Sequence, residues 1–360
     1  MKAAVCYEFG KPLVIEDIQI LPPQKGQVQV RLSATAICHS DIHVIRGELG
    51  GPPPMVAGHE SAGYIAKAGE GVSSVKEGDP VVVSLITSCG KCYYCSRGQP
   101  HLCETRKALQ LDTPLRSKKG DKIANTFSTG TFAEYANVDQ SQVVKIAPDL
   151  EMDKASLLAC GVITGFGAAV NLAQVKAGSS AVIIGVGGVG LNAIQGAAFS
   201  GAYPVIAVDV LDNKLKAARE FGATHTVNSR ETDVLEAIKQ LTAGRGADYV
   251  FVTVGKLEAM KQGASLAGKR GLTVLVGLPQ FKDVLGLSPF DLIGNEKFVT
   301  GCYMGSTNLQ LDVPRLAALY KGGKLKLDEL ISGRYPLEQI NQAIEAVERG
   351  EALRNVIMFT

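Results

Sequence analysis

Two regimes of hydrophobic patterning divide this 360-residue chain. Up to about residue 150, short β-branched runs such as Val28-Gln29-Val30-Arg31-Leu32 and Val81-Val82-Val83 are broken by Gly and Pro, which predicts a mostly β region. From about 165 to 300 the pattern becomes strand, helix, strand. Strands are expected over 181–184, 205–208, 249–254 and 272–276, with helices over 191–200, 211–221 and 234–241 between them. Such alternation implies a doubly wound parallel sheet with right-handed crossovers. The chain closes with a predicted helix over 337–349 and a strand over 355–359.

No charged residue occurs from Ala155 to Val175, nor from Ala177 to Val208. By length alone either stretch could span a bilayer. Both are laced with Gly, Ser, Asn and Gln, however, and strands of a parallel sheet buried on both faces give the same uncharged signature. We therefore expect core segments and no membrane contact.

The second uncharged stretch carries a nucleotide signature. A predicted strand, Ala181-Val182-Ile183-Ile184, runs into Gly185-Val186-Gly187-Gly188-Val189-Gly190 and then a helix of small residues. The next strand ends in Asp209. In a G-x-G-x-x-G turn the glycines allow a tight bend, approach of backbone to pyrophosphate, and close packing of helix on strand. The helix N-terminus supplies free N–H groups for the phosphates. Asp209 is placed to accept from an adenosine ribose and to repel a 2′-phosphate, which favours NAD over NADP.

The cysteines add metal chemistry. Cys89, Cys92, Cys95 and Cys103 form a C-x2-C-x2-C-x7-C run, the spacing of a closed four-thiolate zinc site. Two disulfides are the alternative, but the other cysteines are scattered. A second ligand set is spread along the chain as Cys38, His59 and Cys160. Two thiolates and one imidazole suit an open, catalytic zinc that keeps a fourth position for substrate. Singly, Cys160 reads as core filler and His59 as an ordinary histidine; together they outline a site.

These motifs carry a resemblance. The chain resembles the zinc-dependent medium-chain alcohol dehydrogenases over its whole length, in Cys38-His39-Ser40-Asp41, Gly58-His59-Glu60, the four-cysteine lobe, Gly130-Thr131-Phe132-Ala133-Glu134-Tyr135, Cys160-Gly161 through Thr164-Gly165, and the glycine turn. The longer stretch between Cys103 and Phe132 is most similar to the liver-type and glutathione-dependent formaldehyde dehydrogenase branches.

The resemblance implies a Rossmann domain over 162–303 and a mostly β, GroES-like catalytic domain over 1–161, to which 304–360 returns. It also implies a zinc lobe over 86–104, an active cleft between the domains, and a homodimer or tetramer. It further implies NAD and two zinc ions per chain, with catalytic zinc on Cys38, His59 and Cys160 acting as a Lewis acid on the alcohol. Ser40 would take the alcohol proton and His43 would pass it through the cofactor ribose to solvent. Asp41 would orient His59. Glu60 would assist ligand exchange or, alternatively, pair with an arginine. Thr164 would lie beside the nicotinamide, Lys214 beside the adenosine, and Arg354 at the pyrophosphate, with Val276 also binding the cofactor, though Lys214 and Arg354 read equally as surface charges.

Departures from the liver-type pattern bear on substrate. His39 stands where relatives carry an arginine against the pyrophosphate. Leu85 replaces a large aromatic of the pocket, Met304 replaces an aromatic beside the nicotinamide, and Phe127 is expected at the pocket wall, so an apolar carbon portion is expected. The loop 104–122 is rich in Lys and Arg, which raises an alcohol on an anionic handle, a glutathione-type hydroxymethyl adduct or a hydroxyacyl-CoA, against a plain solvated loop. A polyol dehydrogenase would want a polar pocket, and a non-catalytic NAD-binding zinc protein would not need the whole ligand and relay set.

Composition changes little. Forty glycines and 46% hydrophobic residues suit an α/β enzyme. A net charge of +2 with 6% aromatic residues supplies neither the basic face nor the aromatics of a nucleic-acid module. The first residues lack the zones of a signal peptide, and a cytoplasmic location is expected.

Overall fold

The computed structural model describes residues 1–359. By their internal contacts these fall into two units, Met1–Cys160 together with the chain from Asn308 onward, and Gly161–Thr307.

The first unit is built on the long strand Gln27–Ala36, which pairs antiparallel with Ser61–Ala68, Tyr135–Asp139 and Arg354–Met358. Val28, Val30 and Leu32 point into a core shared with Ile65, Val81, Val83 and Val138. The alternate residue Gln29 instead donates across the pair to Asn137 at 3.1 Å. This period-two alternation fixes the register, because a slip of one residue would carry the whole apolar set to the opposite face. The pairing of Arg354–Met358 with Gln27–Ala36 ties the C-terminal segment to the first unit. A second six-stranded sheet holds Lys2–Cys6, Met55–Val56 and Lys122–Asn125 at its centre.

The second unit carries a six-stranded sheet in the order His225–Asn228, Val205–Asp209, Ala181–Ile184, Ala247–Val252, Ala267–Leu275, Phe298–Gly301, all parallel. In chain order that is 3-2-1-4-5-6, the doubly wound arrangement that leaves a crevice where the winding reverses. The uncharged stretch 177–208 is the first strand, the helix Gly188–Phe199 and the second strand, with Ala181, Val182, Ile183, Leu191 and Ile194 inaccessible to solvent. Among the described residues no helix is long and apolar enough to cross a membrane.

Two differences from the patterning have physical causes. The helix expected from 191 starts at Gly188, because the glycine turn feeds directly into it and packing overrides the poor helix propensity of Gly188 and Gly190. A helix over Leu309–Lys321 was not expected, since Pro314 lies inside it and interrupts the pattern. At the edge of the parallel sheet, Phe298–Gly301 leaves one side unpaired among the described strands. Exposed apolar residues accompany it in the same unit, with Phe281 at 101%, Phe290 at 87%, Val284 at 81% and Ile293 at 79%.

Candidate metal centres and nucleotide turn

Cys38 caps the helix His39–Ile45, and its backbone N–H donates to Asp41 Oδ2 at 3.1 Å. The other carboxylate oxygen, Asp41 Oδ1, accepts from the Gly58 N–H at 3.0 Å and faces His59 Nδ1 at 2.8 Å. Asp41 and His59 are wholly buried. With no room for solvent to compete, the carboxylate holds Nδ1 as the N–H donor and turns Nε2 toward the cysteines. His59 Nε2 lies 3.3 Å from Cys160 Sγ, and one donor atom each from Cys38, His59 and Cys160 lies within 4.8 Å of the other two.

The electrostatics fit a cation at this cluster. Burial works against a charged His59, yet Asp41 and the Cys38 sulfur outweigh it and hold the imidazole well above its usual range. The hydrogen bond with Cys160 holds the Cys38 thiol well below its usual value, and the same contact together with burial pushes Cys160 well up. Three donors in contact thus share their protons, which a dication would displace. Two thiolates and an imidazole are a zinc donor set with a position left over.

The lobe brings all four sulfurs of Cys89, Cys92, Cys95 and Cys103 within 4.8 Å of one another. Cys89 and Cys95 are 4.0 Å apart, and Cys92 and Cys103 3.9 Å. A tetrahedron with metal–sulfur bonds of about 2.3 Å has edges of about 3.8 Å, whereas a disulfide needs about 2.05 Å. All eight cysteines are free thiols. The Lys91 and Cys92 N–H groups donate to Cys89 Sγ at 3.5 and 3.2 Å. The Thr105 hydroxyl and these amides hold Cys89 down to about 5, while burial pushes Cys95 up to about 11.

The relay candidates sit on the helix that Cys38 begins. Ser40 Oγ lies 3.8 Å from Cys38 Sγ. His43 follows one turn on, half-buried, with Nδ1 against the Glu48 carboxylate, a partner the sequence pattern did not single out. His39 is exposed. Glu60 forms an ion pair with Arg354, and both are buried. Arg354, expected at the pyrophosphate, thus directs its guanidinium at Glu60, and the paired alternative for Glu60 is the arrangement present.

One apolar side chain borders the cluster within the first unit. The Phe127 ring packs on the His59 imidazole, centroids 4.7 Å apart and planes tilted by 58°. Phe127 and Ser128 both take left-handed backbone, φ 54° and 57°, an unusual step for residues with side chains. The Thr129 hydroxyl anchors this turn by donating to Gly58 O at 2.8 Å. Leu85 is half-buried, and its neighbour Ser84 donates to Ala159 O at 2.6 Å, beside Cys160.

The glycine turn shows why three glycines are needed there. A Cβ on Gly190 would sit 1.9 Å from Gly185 O, and one on Gly185, φ +88°, would sit 2.4 Å from Val254 Cγ1. A Cβ on Gly187 would meet nothing within 4 Å. The first two positions require glycine for the fold, whereas Gly187 leaves open space where a phosphate would approach. Gly188 and Val189 begin the helix. Asp209 Oδ2 accepts from the Val186 N–H at 2.7 Å, tying the acid to the turn. Burial draws the Lys214 ammonium below its ordinary value, while Asp209 opposes the shift. Thr164 Oγ1 faces Met304 Sδ at 3.8 Å, and Val276 is half-buried with its N–H donating to Val252 O at 2.9 Å.

The basic loop is largely matched by neighbouring acids. Lys118 pairs with Asp17 at 3.3 Å, Lys122 with Asp112 at 2.9 Å, and Lys107 with Asp139 at 3.4 Å. Arg116 donates to the Thr113 and Leu115 carbonyls.

Comparison with known proteins agrees with these features. Residues 24–149 match the alcohol dehydrogenase GroES-like domain, and residues 188–321 match the zinc-binding dehydrogenase family. The chain is 39% identical over 368 aligned positions to the NDMA-dependent alcohol dehydrogenase of Amycolatopsis methanolica, covering 100% of this chain and 99% of that one. It is similar in structure to benzyl alcohol dehydrogenase from Acinetobacter calcoaceticus, at 33% identity and TM-score 0.93 over 100% of this chain and 99% of the other. A Sinorhizobium meliloti 1021 zinc-binding dehydrogenase structure bound to NADP is similar at 28% identity and TM-score 0.82, over 99% of each chain.

Proposed function

This chain belongs to the zinc-binding alcohol dehydrogenase family, and from that premise we propose that it reversibly oxidises a primary or secondary alcohol to an aldehyde or ketone, with zinc and NAD. The observation that carries the proposal is the buried Cys38, His59 and Cys160 cluster, with Asp41 fixing the imidazole.

Zinc on these ligands supplies a Lewis acid that lowers the pKa of an alcohol, and the nicotinamide supplies the hydride acceptor. The rest falls to the chain's own residues. Asp41 keeps His59 Nε2 turned toward the cysteines. The Ser40 hydroxyl, beside Cys38, would take the alcohol proton, and His43 one turn on would pass it to solvent. Phe127 and Leu85 provide apolar walls that suit a carbon portion without charge, aromatic or cyclic groups included. The glycine turn and the free N–H groups of its helix receive the pyrophosphate, while Lys214, Thr164 and Val276 border the nucleotide. The lobe cysteines hold a second zinc in a closed, structural site.

Asp209 supports NAD over NADP by its charge. The relative bound to NADP and the relative named for NDMA make the acceptor worth testing directly. The pairing of the basic loop with Asp17, Asp112 and Asp139 supports a free alcohol over one on an anionic handle. The unpaired edge Phe298–Gly301, with exposed Phe281, Phe290 and Ile293, supports a homodimer. Free thiols throughout suit a reducing cytoplasm.

The test is a panel of initial rates with NAD, NADP and NDMA as acceptors against an aromatic alcohol, a polyol and a glutathione or coenzyme A conjugate. We expect the aromatic alcohol with NAD to give the highest kcat/KM. A conjugate that outruns the free alcohol would overturn the free-alcohol reading, and preference for NADP would overturn the role given to Asp209.

A further inference from the structure

The proton relay proposed above ends at His43, and the structure adds a residue to it. We propose that Glu48 is a positioning residue for His43: its carboxylate accepts from Nδ1–H and so leaves Nε2 as the unprotonated nitrogen that receives the alcohol proton. The inference rests on the alcohol dehydrogenase reading for its consequence and on local geometry for its substance.

The geometry is set by the end of the helix His39–Ile45. His43 lies in its last turn, and the chain then bends back through Gly47, so that the Glu48 N–H donates to His43 O at 2.9 Å. Gly47 has φ +78°, and a Cβ there would meet the Phe9 ring at 2.8 Å, so the bend calls for glycine. The bend brings the Glu48 carboxylate against His43 Nδ1. Both side chains are partly exposed, at 38% and 33%, so the pair lies within reach of solvent. The neighbouring cation, Arg46, is engaged by Glu348 at 2.6 Å and does not compete for the Glu48 carboxylate.

An imidazole held at Nδ1 by a carboxylate has one defined tautomer and one defined ring orientation. Ser40 and His43 stand three residues apart on one helix face, so a ring locked in that tautomer presents an acceptor nitrogen to the relay instead of an N–H. Nε2 takes up the relayed proton, and release of that proton to water resets the pair. No bond other than N–H and O–H changes, and no electrons leave the pair.

The test uses the zinc-loaded full chain, with ¹⁵N-histidine NMR at a pH where the ring is neutral and single-turnover hydride transfer from benzyl alcohol to NAD. In the wild type the His43 signals should report Nδ1–H. Glu48→Ala should shift them toward Nε2–H and slow hydride transfer about tenfold, with zinc content unchanged. Glu48→Gln, which keeps an acceptor oxygen, should keep the tautomer and recover part of the rate. A His43 tautomer unaltered in Glu48→Ala, or an unaltered hydride-transfer rate, overturns the proposal. The NMR readout needs no substrate, so a chain that oxidised no alcohol would overturn the functional reading while leaving the His43–Glu48 pair standing.

Discussion

Asp41 is the residue on which the metal cluster depends without belonging to it. Its two oxygens take N–H donors from Cys38, Gly58 and His59 inside a site that excludes water. Asp41→Asn replaces one acceptor oxygen with an amine that faces a donor. It should therefore weaken zinc at the Cys38 site by roughly 10–100-fold and leave the lobe zinc in place, as read by chelator competition with metal analysis. Equal loss of both ions would show that Asp41 acts only on folding. This residue was legible in the sequence through the resemblance, whose Cys38-His39-Ser40-Asp41 motif implies a carboxylate that orients His59. Glu48 was not, since its contact with His43 depends on the bend at Gly47. The tilted packing of Phe127 on His59 was equally hidden, because the left-handed pair Phe127–Ser128 has no glycine to announce it.

At the scale of elements, the glycine turn separates two roles that one motif conceals. Gly187→Ala puts a methyl into open space at a backbone angle that any residue adopts, so thermal stability should hold within about 2 °C while dinucleotide affinity falls, measured by fluorescence titration with NADH. Gly190→Ala drives a Cβ into the Gly185 carbonyl and should lower the melting temperature itself. Identical behaviour of the two variants would contradict this division. The cysteine lobe makes a pH prediction. A Cys95 thiol pushed up to about 11 stays protonated at neutral pH until metal arrives, so zinc loading should release protons, and zinc affinity should fall as pH falls. Metal titration in weak buffer with an indicator dye measures both, and loading without proton release would count against it. Helices with clean periodicity, such as Val234–Leu241, were legible to the residue. The helix Leu309–Lys321 was not, because an interior Pro314 reads locally as a break and only tertiary packing of Leu309, Val313 and Leu316 sustains it.

Across the whole molecule, two units of different character divide the labour that the candidate chemistry requires. The first, mostly antiparallel unit gathers the thiols and imidazole, and the parallel unit supplies the glycine turn. This much followed from a change of hydrophobic period and from motif order. Patterning could not supply the exposed Phe281, Phe290 and Ile293, on which the proposed homodimer rests. Phe290→Asp combined with Ile293→Asp should convert a dimer to monomer in sedimentation velocity, and unchanged sedimentation would place the interface elsewhere. The proposed activity depends on chemistry at Cys38, His59 and Cys160. Its most direct test is the initial rate of NADH appearance from NAD and benzyl alcohol, in wild type and in Cys38→Ser. Turnover is expected in the first and its loss in the second with the lobe zinc retained; turnover that survives the substitution would contradict the role given to the Cys38 site.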